Sequence, residues 1–139
     1  MKHNHHDFDE TFIESMAKLL SQNDDTKVKI LPQFHGFWLV GENEKTELRI
    51  LRLANFQIIV SRVCITHKRS GCMSEIFRRL IDYARNNHIP RILVQCVNTA
   101  EMAAWCEHRG LIHDDRQTYH RLVDGYKTGD YIWSIDQPV

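Results

Sequence analysis

Two nearly continuous apolar segments on either side of an amphipathic helix pattern limit the fold more than any other feature of this sequence. The segments span residues 58–65 and 91–97, and apolar side chains on both faces are typical of central strands that are covered on both sides. Between them, residues 74–87 carry apolar side chains at helical spacing, and Pro90 then ends the pattern. Strand 56–66, helix 74–87 and strand 91–97 therefore predict a βαβ unit with parallel strands and a right-handed crossover.

The residues before this unit predict a helix followed by an antiparallel meander. Over residues 9–21 apolar side chains recur at helical spacing, and Asp7 or Asp9 is available as the N-cap. From residue 27 onwards β-branched and aromatic residues predominate. The turn signals in this region are Pro32, residues 41–44 and residues 54–55. The expected strands are residues 27–31, 35–41, 46–53 and 56–66.

The residues after the unit predict one more helix and two more strands. Asn98 is placed as the N-cap of this helix, Glu101 follows three residues later, and Gly110 provides a C-terminal stop. The strands expected beyond it are residues 111–122 and 126–135, joined through the hairpin signal Asp124-Gly125. The order of these elements indicates an α+β fold with a mixed, mostly antiparallel central sheet flanked by helices.

Length and composition indicate one domain, spanning residues 1–139, in which residues 1–8 are expected to be flexible. A chain of this size buries about 68–70% of its unfolded surface, enough for a core without covalent staples. No apolar run approaches the roughly 20 residues that cross a bilayer, and the first ten residues lack the apolar core of a signal peptide. We therefore expect a cytoplasmic protein with no membrane partner.

The cysteines and histidines do not have the spacing of a metal site. The cysteines fit neither a zinc knuckle nor a dense disulfide framework, and are expected to be reduced thiols: Cys64, Cys72, Cys96 and Cys106. The histidines considered as ligands are His3, His5, His6, His113 and His120. No HExxH or CxxC pattern accompanies them, so no metal is expected.

The net charge is zero but is unevenly distributed along the chain. The 18 Lys and Arg balance the 18 Asp and Glu, which disfavours a broad nucleic-acid-binding surface, so nucleic acid is not an expected partner. Residues 61–91, however, contain seven basic and two acidic side chains, and the segments on both sides are acidic. This pattern favours one compact polyanionic ligand at the positive segment, while the acidic flanks favour a cationic one.

The positive segment includes a loop, residues 66–74, that leads into the helix of the βαβ unit. Lys68 and Arg69 supply positive charge, and Gly71 allows the backbone to approach a ligand closely. The N–H groups of the first helical turn lack partners within the helix, and the helix dipole favours an anion there. The loop does not contain the P-loop pattern GxxxxGK[ST] or the dinucleotide pattern GxGxxG. It is therefore a candidate phosphate site of a different type.

At this loop the sequence resembles the GNAT superfamily of acyl-coenzyme A-dependent N-acyltransferases, over residues 58–111. The family signature [QR]xxGx[GA] aligns with residues 68–73, with Lys68 and Met73 as departures; a loop one residue shorter, with Arg69 in the leading role, fits equally well. A second block supports the first, since family members often place Asn at the start of the following helix and an aromatic, three residues and Gly-Phe at its end. Here Asn98 opens that helix and residues 106–111 close it.

The resemblance implies an N-acetyltransferase that moves an acetyl group from acetyl-coenzyme A (acetyl-CoA) directly to a primary amine of a small molecule or protein. It implies a pyrophosphate site on residues 69–74 and pantetheine pairing along the edge of the first apolar strand. The cofactor-binding residues so implied are Val63, Cys64, Ile65, Lys68, Arg69, Ser70, Gly71, Cys72, Met73, Ser74 and Asn98. A homodimer is possible in proteins of this type.

The catalytic residues remain open at this level. Family members often use a tyrosine on the helix after the second strand to protonate the leaving thiolate; here that position is Cys106, with Trp105 beside it. Cys106 is therefore the candidate catalytic residue, and a buried structural thiol is the alternative. The other candidates for proton transfer are Glu47, Gln57, Ser61, His67, Tyr119, Tyr126 and Tyr131. Without the usual tyrosine, a CoA-binding sensor of the same fold, with weak or no catalysis, is the alternative function.

Overall fold

The computed structural model describes residues 8–68, 70–117 and 121–136. Its helices are α1 (Glu10–Asp24), α2 (Cys72–Asn86) and α3 (Ala100–His108). Its strands are β1 (Val28–Gln33), β2 (Gly36–Gly41), β3 (Glu47–Leu53), β4 (Gln57–Cys64), β5 (Arg91–Val97), β6 (Ile112–His113), β7 (Leu122–Val123), β8 (Tyr126–Lys127) and β9 (Gly129–Ser134). No helix within these ranges is long and apolar enough to cross a membrane.

Seven of the strands form one sheet in the order β1-β2-β3-β4-β5-β9-β6. Every neighbouring pair is antiparallel except β4 and β5, which are parallel and joined through α2. β7 and β8 form a separate two-stranded hairpin. The prediction of an α+β fold with a mixed, mostly antiparallel sheet and flanking helices is therefore confirmed, as is the parallel pair.

The hydrophobic core lies against one face of the sheet. The strand register places buried side chains in a continuous row across five strands: Phe37, Ile50, Val60, Val94 and Tyr131. The apolar sides of α1 and α2 pack against this face, with Met16, Leu20, Ile76 and Leu80 all fully buried. Because side chains of β4 and α2 pack in the same core, the core fixes the position of β4 relative to the start of α2.

Phe8 belongs to this core, although we assigned residues 1–8 to a flexible segment. Its side chain is 4% exposed and makes ring contacts with Phe12, Phe37 and Tyr83. The expectation is therefore wrong for Phe8, because an aromatic ring just before α1 can bury its surface under the helix it precedes. Residues 1–7, including Asp7, lie outside the described residues. The N-cap of α1 is Asp9, without a side-chain capping bond.

Several predicted boundaries differ from the structure for identifiable reasons. Pro32 lies inside β1 and not in a turn, since an edge strand tolerates a residue without an N–H group. The turn falls instead at Phe34 and His35, and His35 has φ of 61°. α1 continues through the polar residues to Asp24.

The prediction of one continuous strand over residues 111–122 is wrong, because among its described residues only Ile112 and His113 pair with β9. The Asp114 carboxylate accepts the Arg116 N–H at 3.1 Å and so forms a turn at this point. The predicted strand 126–135 is divided between β8, which pairs with β7, and β9, which pairs with β5. The turn predicted at residues 124–125 is confirmed, with both residues at positive φ.

A buried arginine ties the end of β3 to α2. Arg52 is 6% exposed and donates to the Tyr83 hydroxyl at 2.5 Å, the Asn55 side-chain oxygen at 2.7 Å and the Ala54 carbonyl at 3.0 Å. Its guanidinium also lies over the Tyr83 ring, 5.4 Å from the centroid. The charge is thus buried with its donors satisfied, as burial of an arginine requires.

We expect Tyr83→Phe to lower the free energy of unfolding by about 1–3 kcal/mol, because it leaves a buried guanidinium N–H without its acceptor. Urea denaturation monitored by tryptophan fluorescence measures this change. The double variant Arg52→Met, Tyr83→Phe serves as the control and should lose less than the sum of the two single variants. Strict additivity would show that the two side chains are not energetically coupled.

Candidate functional site

The parallel strands β4 and β5 separate halfway along their length. They pair only from Ile58 with Ile92 to Val60 with Val94. On its other side β4 carries a bulge, since Arg49 of β3 is paired with Arg62 whereas Ile50 is paired with Val60. Ser61 is thus the extra residue, and its hydroxyl donates to the Arg49 carbonyl at 3.3 Å. Because a bulge bends its strand, residues 61–64, called here the β4 edge, turn away from β5.

A second irregularity bends β5 in the corresponding region. Its register with β9 shifts between Val94 and Val97, and Cys96 adopts φ of 57°. The Cys96 N–H donates to the Asp130 carboxylate at 2.9 Å and so is satisfied outside the sheet ladder. Both strands therefore diverge at the same level, and neither β4 nor β5 supplies a ladder partner to the other beyond that point.

The divergence opens a cleft of about 1080 Å³. One wall consists of the β4 edge, the loop that follows it and the start of α2, which contribute residues 61–68 and 70–74. The other wall consists of the end of β5 and the start of α3, which contribute residues 94–99, Glu101, Met102 and Trp105. Every predicted cofactor-binding residue that the structure describes lines this cleft, and Arg69 lies outside the described residues.

The N-terminus of α2 faces this cleft with three backbone donors that its own helix does not use. The first helical bond runs from the Glu75 N–H to the Gly71 carbonyl at 3.0 Å. The N–H groups of Cys72, Met73 and Ser74 therefore precede the helical ladder. Gly71 has φ of 83°, with open space where a side chain would begin, so its backbone conformation and not crowding favours glycine.

Comparison with proteins of known structure identifies this architecture. The ribosomal-protein-S18-alanine N-acetyltransferase of Escherichia coli superposes with a TM-score of 0.53 at 12% identity, covering 95% of this chain and 93% of that chain. A probable acetyltransferase of the GNAT family from Chromobacterium violaceum gives 0.50 at 12%, covering 87% and 80%. The IAA acetyltransferase of Bacillus cereus gives 0.50 at 11%, covering 71% and 77%.

The chain has the GNAT acetyltransferase fold. No protein-family model matches the sequence. A search of curated proteins finds no significant match either. The identities to the solved structures are so low that they define the fold and not the substrate. The resemblance inferred from residues 58–111 is confirmed at this level.

In this GNAT fold the third helix begins one residue later than expected. Its N-cap is Thr99, whose hydroxyl accepts the Met102 N–H at 3.2 Å, and not Asn98. Asn98 is therefore released from capping and lines the cleft. Glu101 in the first turn lies 3.6 Å from the Lys68 ammonium, and both side chains are exposed. This ion pair joins the two walls of the cleft.

Cys106 lies in the hydrophobic core and does not line the cleft. It is fully buried, and burial, with a smaller effect from Glu107, raises the pKa of its thiol to about 12. This placement argues against the catalytic assignment of Cys106. Trp105 occupies the cleft wall instead, with its ring against Phe77 and its indole N–H 3.4 Å from the Ser74 hydroxyl.

The other candidates for proton transfer differ in their access to the cleft. Ser61 and His67 line it. Glu47 accepts the Trp38 indole N–H at 2.5 Å and lies 3.0 Å from Arg62, which itself lines the cleft. The remaining described candidates, Gln57, Tyr126 and Tyr131, do not line it. Tyr119 and His120 lie outside the described residues.

Tyr131 is unsuited to replace the missing tyrosine. Its hydroxyl donates to the Lys127 carbonyl at 2.6 Å. Burial, together with the negative charge of Glu107, raises its pKa to about 12. The hydroxyl is therefore engaged with a backbone acceptor and is a weaker acid than an ordinary tyrosine.

Sequence reasoning missed two residues at the C-terminus of α1. Asn23 and Asp24 make hydrogen bonds to the loop that follows β4, across more than 40 positions of sequence. The polar sequence around them predicts only the end of a helix, and no periodicity links it to residues 66–70. A polar side chain that pairs with a distant backbone leaves no signal in a single sequence.

The described residues contain no group of three or more His, Cys, Asp and Glu side chains that could hold a metal ion. His113, considered above as a ligand, instead contacts the Asp115 carboxylate at 2.5 Å and the Thr128 carbonyl at 2.7 Å.

Arg78 and Arg79 bind Glu75 on α2, and Arg78 also binds Asp82. These arginines therefore belong to an ion-pair network on the surface of α2.

The four thiols should differ in reactivity. Cys64 and Cys96 are exposed and line the cleft, whereas Cys72 and Cys106 are buried. Burial, aided by the nearby Asp24 carboxylate, raises the pKa of Cys72 to about 11. Because the thiolate is the reacting form, we expect 5,5′-dithiobis(2-nitrobenzoate) to modify two thiols rapidly and the other two only after unfolding.

The double variant Cys64→Ser, Cys96→Ser identifies the rapid pair and should show no fast phase at neutral pH. A third rapidly modified thiol in the native protein would contradict the burial of Cys72 or Cys106. Mass spectrometry of the modified peptides assigns each reacting residue.

Proposed function

We propose that this chain binds acetyl-CoA in the cleft and transfers the acetyl group directly to a primary amine of a small molecule or protein. The observation that carries the proposal is the divergence of β4 and β5 directly in front of the α2 N-terminus. It places an unpaired strand edge, which suits an amide-containing chain, next to a site that suits phosphate. The GNAT fold supports the same ligand.

Two groups of residues fit the two chemical parts of the cofactor. The backbone N–H groups of residues 70–74, with Lys68 and Arg69, bind the diphosphate at the positive end of the α2 dipole. The β4 edge and Ile65 pair with the amides of pantetheine, and Asn98 on the opposite wall supplies a further polar contact. The positive charge of residues 61–91 matches a ligand that carries several phosphate charges.

The same geometry suits transfer without a covalent enzyme intermediate. Acetyl-CoA supplies the acetyl group as an activated thioester. The backbone N–H groups of the β4 edge donate to the acetyl oxygen as it gains negative charge. His67, which lines the cleft, and Glu47, which contacts the cleft residue Arg62, are the groups that can accept a proton from the attacking amine, directly or through water. The open cleft gives the departing thiolate access to solvent.

Isothermal titration calorimetry with acetyl-CoA should show binding, and removing the loop charges should weaken it. We expect Lys68→Ala with Arg69→Ala to lower the affinity roughly tenfold or more, because a hydrogen bond to a charged group contributes about 1.5–3 kcal/mol. The matched controls are Arg78→Ala and Arg85→Ala on the same helix-loop segment. Arg78 binds Glu75 and Asp82 and does not line the cleft. Equal losses in all variants would place the diphosphate elsewhere.

A CoA-binding sensor without catalysis is the second candidate function. It is favoured by Cys106, which occupies the position of the family tyrosine but is buried away from the cleft. The two candidates share the cofactor site and differ only in whether an acceptor amine reacts.

Release of free thiol from acetyl-CoA across a panel of amines and peptides distinguishes them. We expect amine-dependent release, with a rate that rises with pH because only the neutral amine attacks. Hydrolysis of acetyl-CoA without amine gives the background. Binding of acetyl-CoA without any amine-dependent thiol would favour the sensor, and the absence of binding would exclude both candidates.

A further inference from the structure

The C-terminus of α1 makes dense polar contact with the loop that enters the cleft. One Asp24 carboxylate oxygen accepts the Thr66 N–H at 2.9 Å and the Thr46 hydroxyl at 2.5 Å. The other accepts the His67 N–H at 3.0 Å and the Asn23 side-chain N–H at 2.8 Å. A single carboxylate therefore joins α1, the residue before β3 and the loop after β4.

Asn23 also contacts this loop, at His67 and Ser70. Its side-chain nitrogen donates to the His67 carbonyl at 3.1 Å, and its oxygen accepts the Ser70 hydroxyl at 2.6 Å. The Ser70 hydroxyl oxygen also lies 3.1 Å from the His67 carbonyl oxygen. The loop is thus held at residues 66, 67 and 70, on both sides of Lys68 and immediately before Gly71.

The position of Asp24 is unfavourable by local rules. A carboxylate in the last turn opposes the helix dipole, and no basic residue of that turn compensates it. It also brings negative charge to a loop that is otherwise suited to an anion. Partial burial by itself would raise its pKa, but the hydrogen bonds from Thr46, Thr66 and His67 lower the pKa to about 2. Asp24 is therefore ionised at neutral pH, and both of its carboxylate oxygens accept hydrogen bonds.

The negative charge of Asp24 is compatible with an anion site because of the N–H groups to which Asp24 binds. It binds the N–H groups of Thr66 and His67, which come before the phosphate-binding part of the loop. Asp24 accepts no hydrogen bond from the N–H groups of Cys72, Met73 and Ser74, which precede the first bond of the helical ladder. Fixing the first part of the loop orients the second part without competing for its donors.

We propose that Asp24, with Asn23 beside it, is a positioning residue that holds Thr66, His67 and Ser70 of the loop in the arrangement that binds the diphosphate of the cofactor. This inference rests on the proposed function. It makes α1 a further element of the cofactor site, in addition to β4, α2 and the opposite wall at Asn98. Asp24 touches no cofactor atom in this arrangement and acts through the loop backbone.

Asp24→Asn tests the inference, with Asp25→Asn as a matched control. Both variants remove one negative charge at the same place, but Asp25 is exposed and outside this contact. In Asp24→Asn one acceptor oxygen becomes an N–H donor that faces the loop donors. We expect this variant to bind acetyl-CoA at least tenfold more weakly, and Asp25→Asn to stay within twofold of the unmodified protein.

S-acetylpantetheine separates positioning from general damage, because it lacks the diphosphate and the nucleotide. NMR titration should give the same affinity for S-acetylpantetheine in Asp24→Asn and in the unmodified protein. Amide hydrogen exchange should be faster at Thr66 and His67 in the variant and unchanged in β4. An equal loss of affinity for both ligands would overturn the inference.

Asn23→Ala keeps the test decisive where Asp24→Asn does not fold. It removes the contacts to His67 and Ser70 and should weaken acetyl-CoA binding about threefold, with no effect on S-acetylpantetheine. Failure of the unmodified protein to bind acetyl-CoA would overturn the proposed function. Binding by the unmodified protein and equally tight binding by Asp24→Asn would overturn only the positioning role.

Discussion

The structure depends on a parallel strand pair that is kept short. β4 and β5 share three residue pairs, and beyond Val60 and Val94 each strand is bent by its own irregularity. At one end of this strand pair, Ile58 and Ile92 are fully buried in the core. At the other end the two strands no longer pair. The packing that stabilises the sheet and the gap that forms the cleft are therefore two ends of the same pair of strands.

The sequence allowed the buried end of this pair to be predicted in detail and the open end only in outline. Apolar runs at residues 58–65 and 91–97, with a helix pattern between them, are sufficient for a βαβ unit because burial determines them. The bulge at Ser61 and the positive φ of Cys96 depend on how the neighbouring strands pair, and neither residue type signals it. The N-cap at Thr99 was missed for a different reason, since Asn98 and Thr99 are adjacent and both residue types are favoured at that position.

The loop after β4, the candidate phosphate site, is held by hydrogen bonds from a distant element of the chain. Its cations and Gly71 are visible in the sequence, and they predict an anion site from local chemistry alone. Its backbone, however, is hydrogen-bonded to Asn23 and Asp24 of α1, and an acidic residue in the last turn of a helix is unfavourable in isolation. Local rules are commonly broken where a residue serves a site, so an unexplained acidic C-terminus of a helix is a useful place to look for such contacts.

The buried position of Cys106 also bears on how the leaving thiolate obtains its proton. An ordinary thiol has a pKa of about 8.5, whereas burial raises that of Cys106 to about 12. Proton transfer from Cys106 to the thiolate of the proposed cofactor would therefore be unfavourable. Water can supply this proton instead, because Lys68 and Glu101 at the mouth of the cleft are exposed to solvent. The proposed transfer to an amine therefore does not depend on a proton from Cys106.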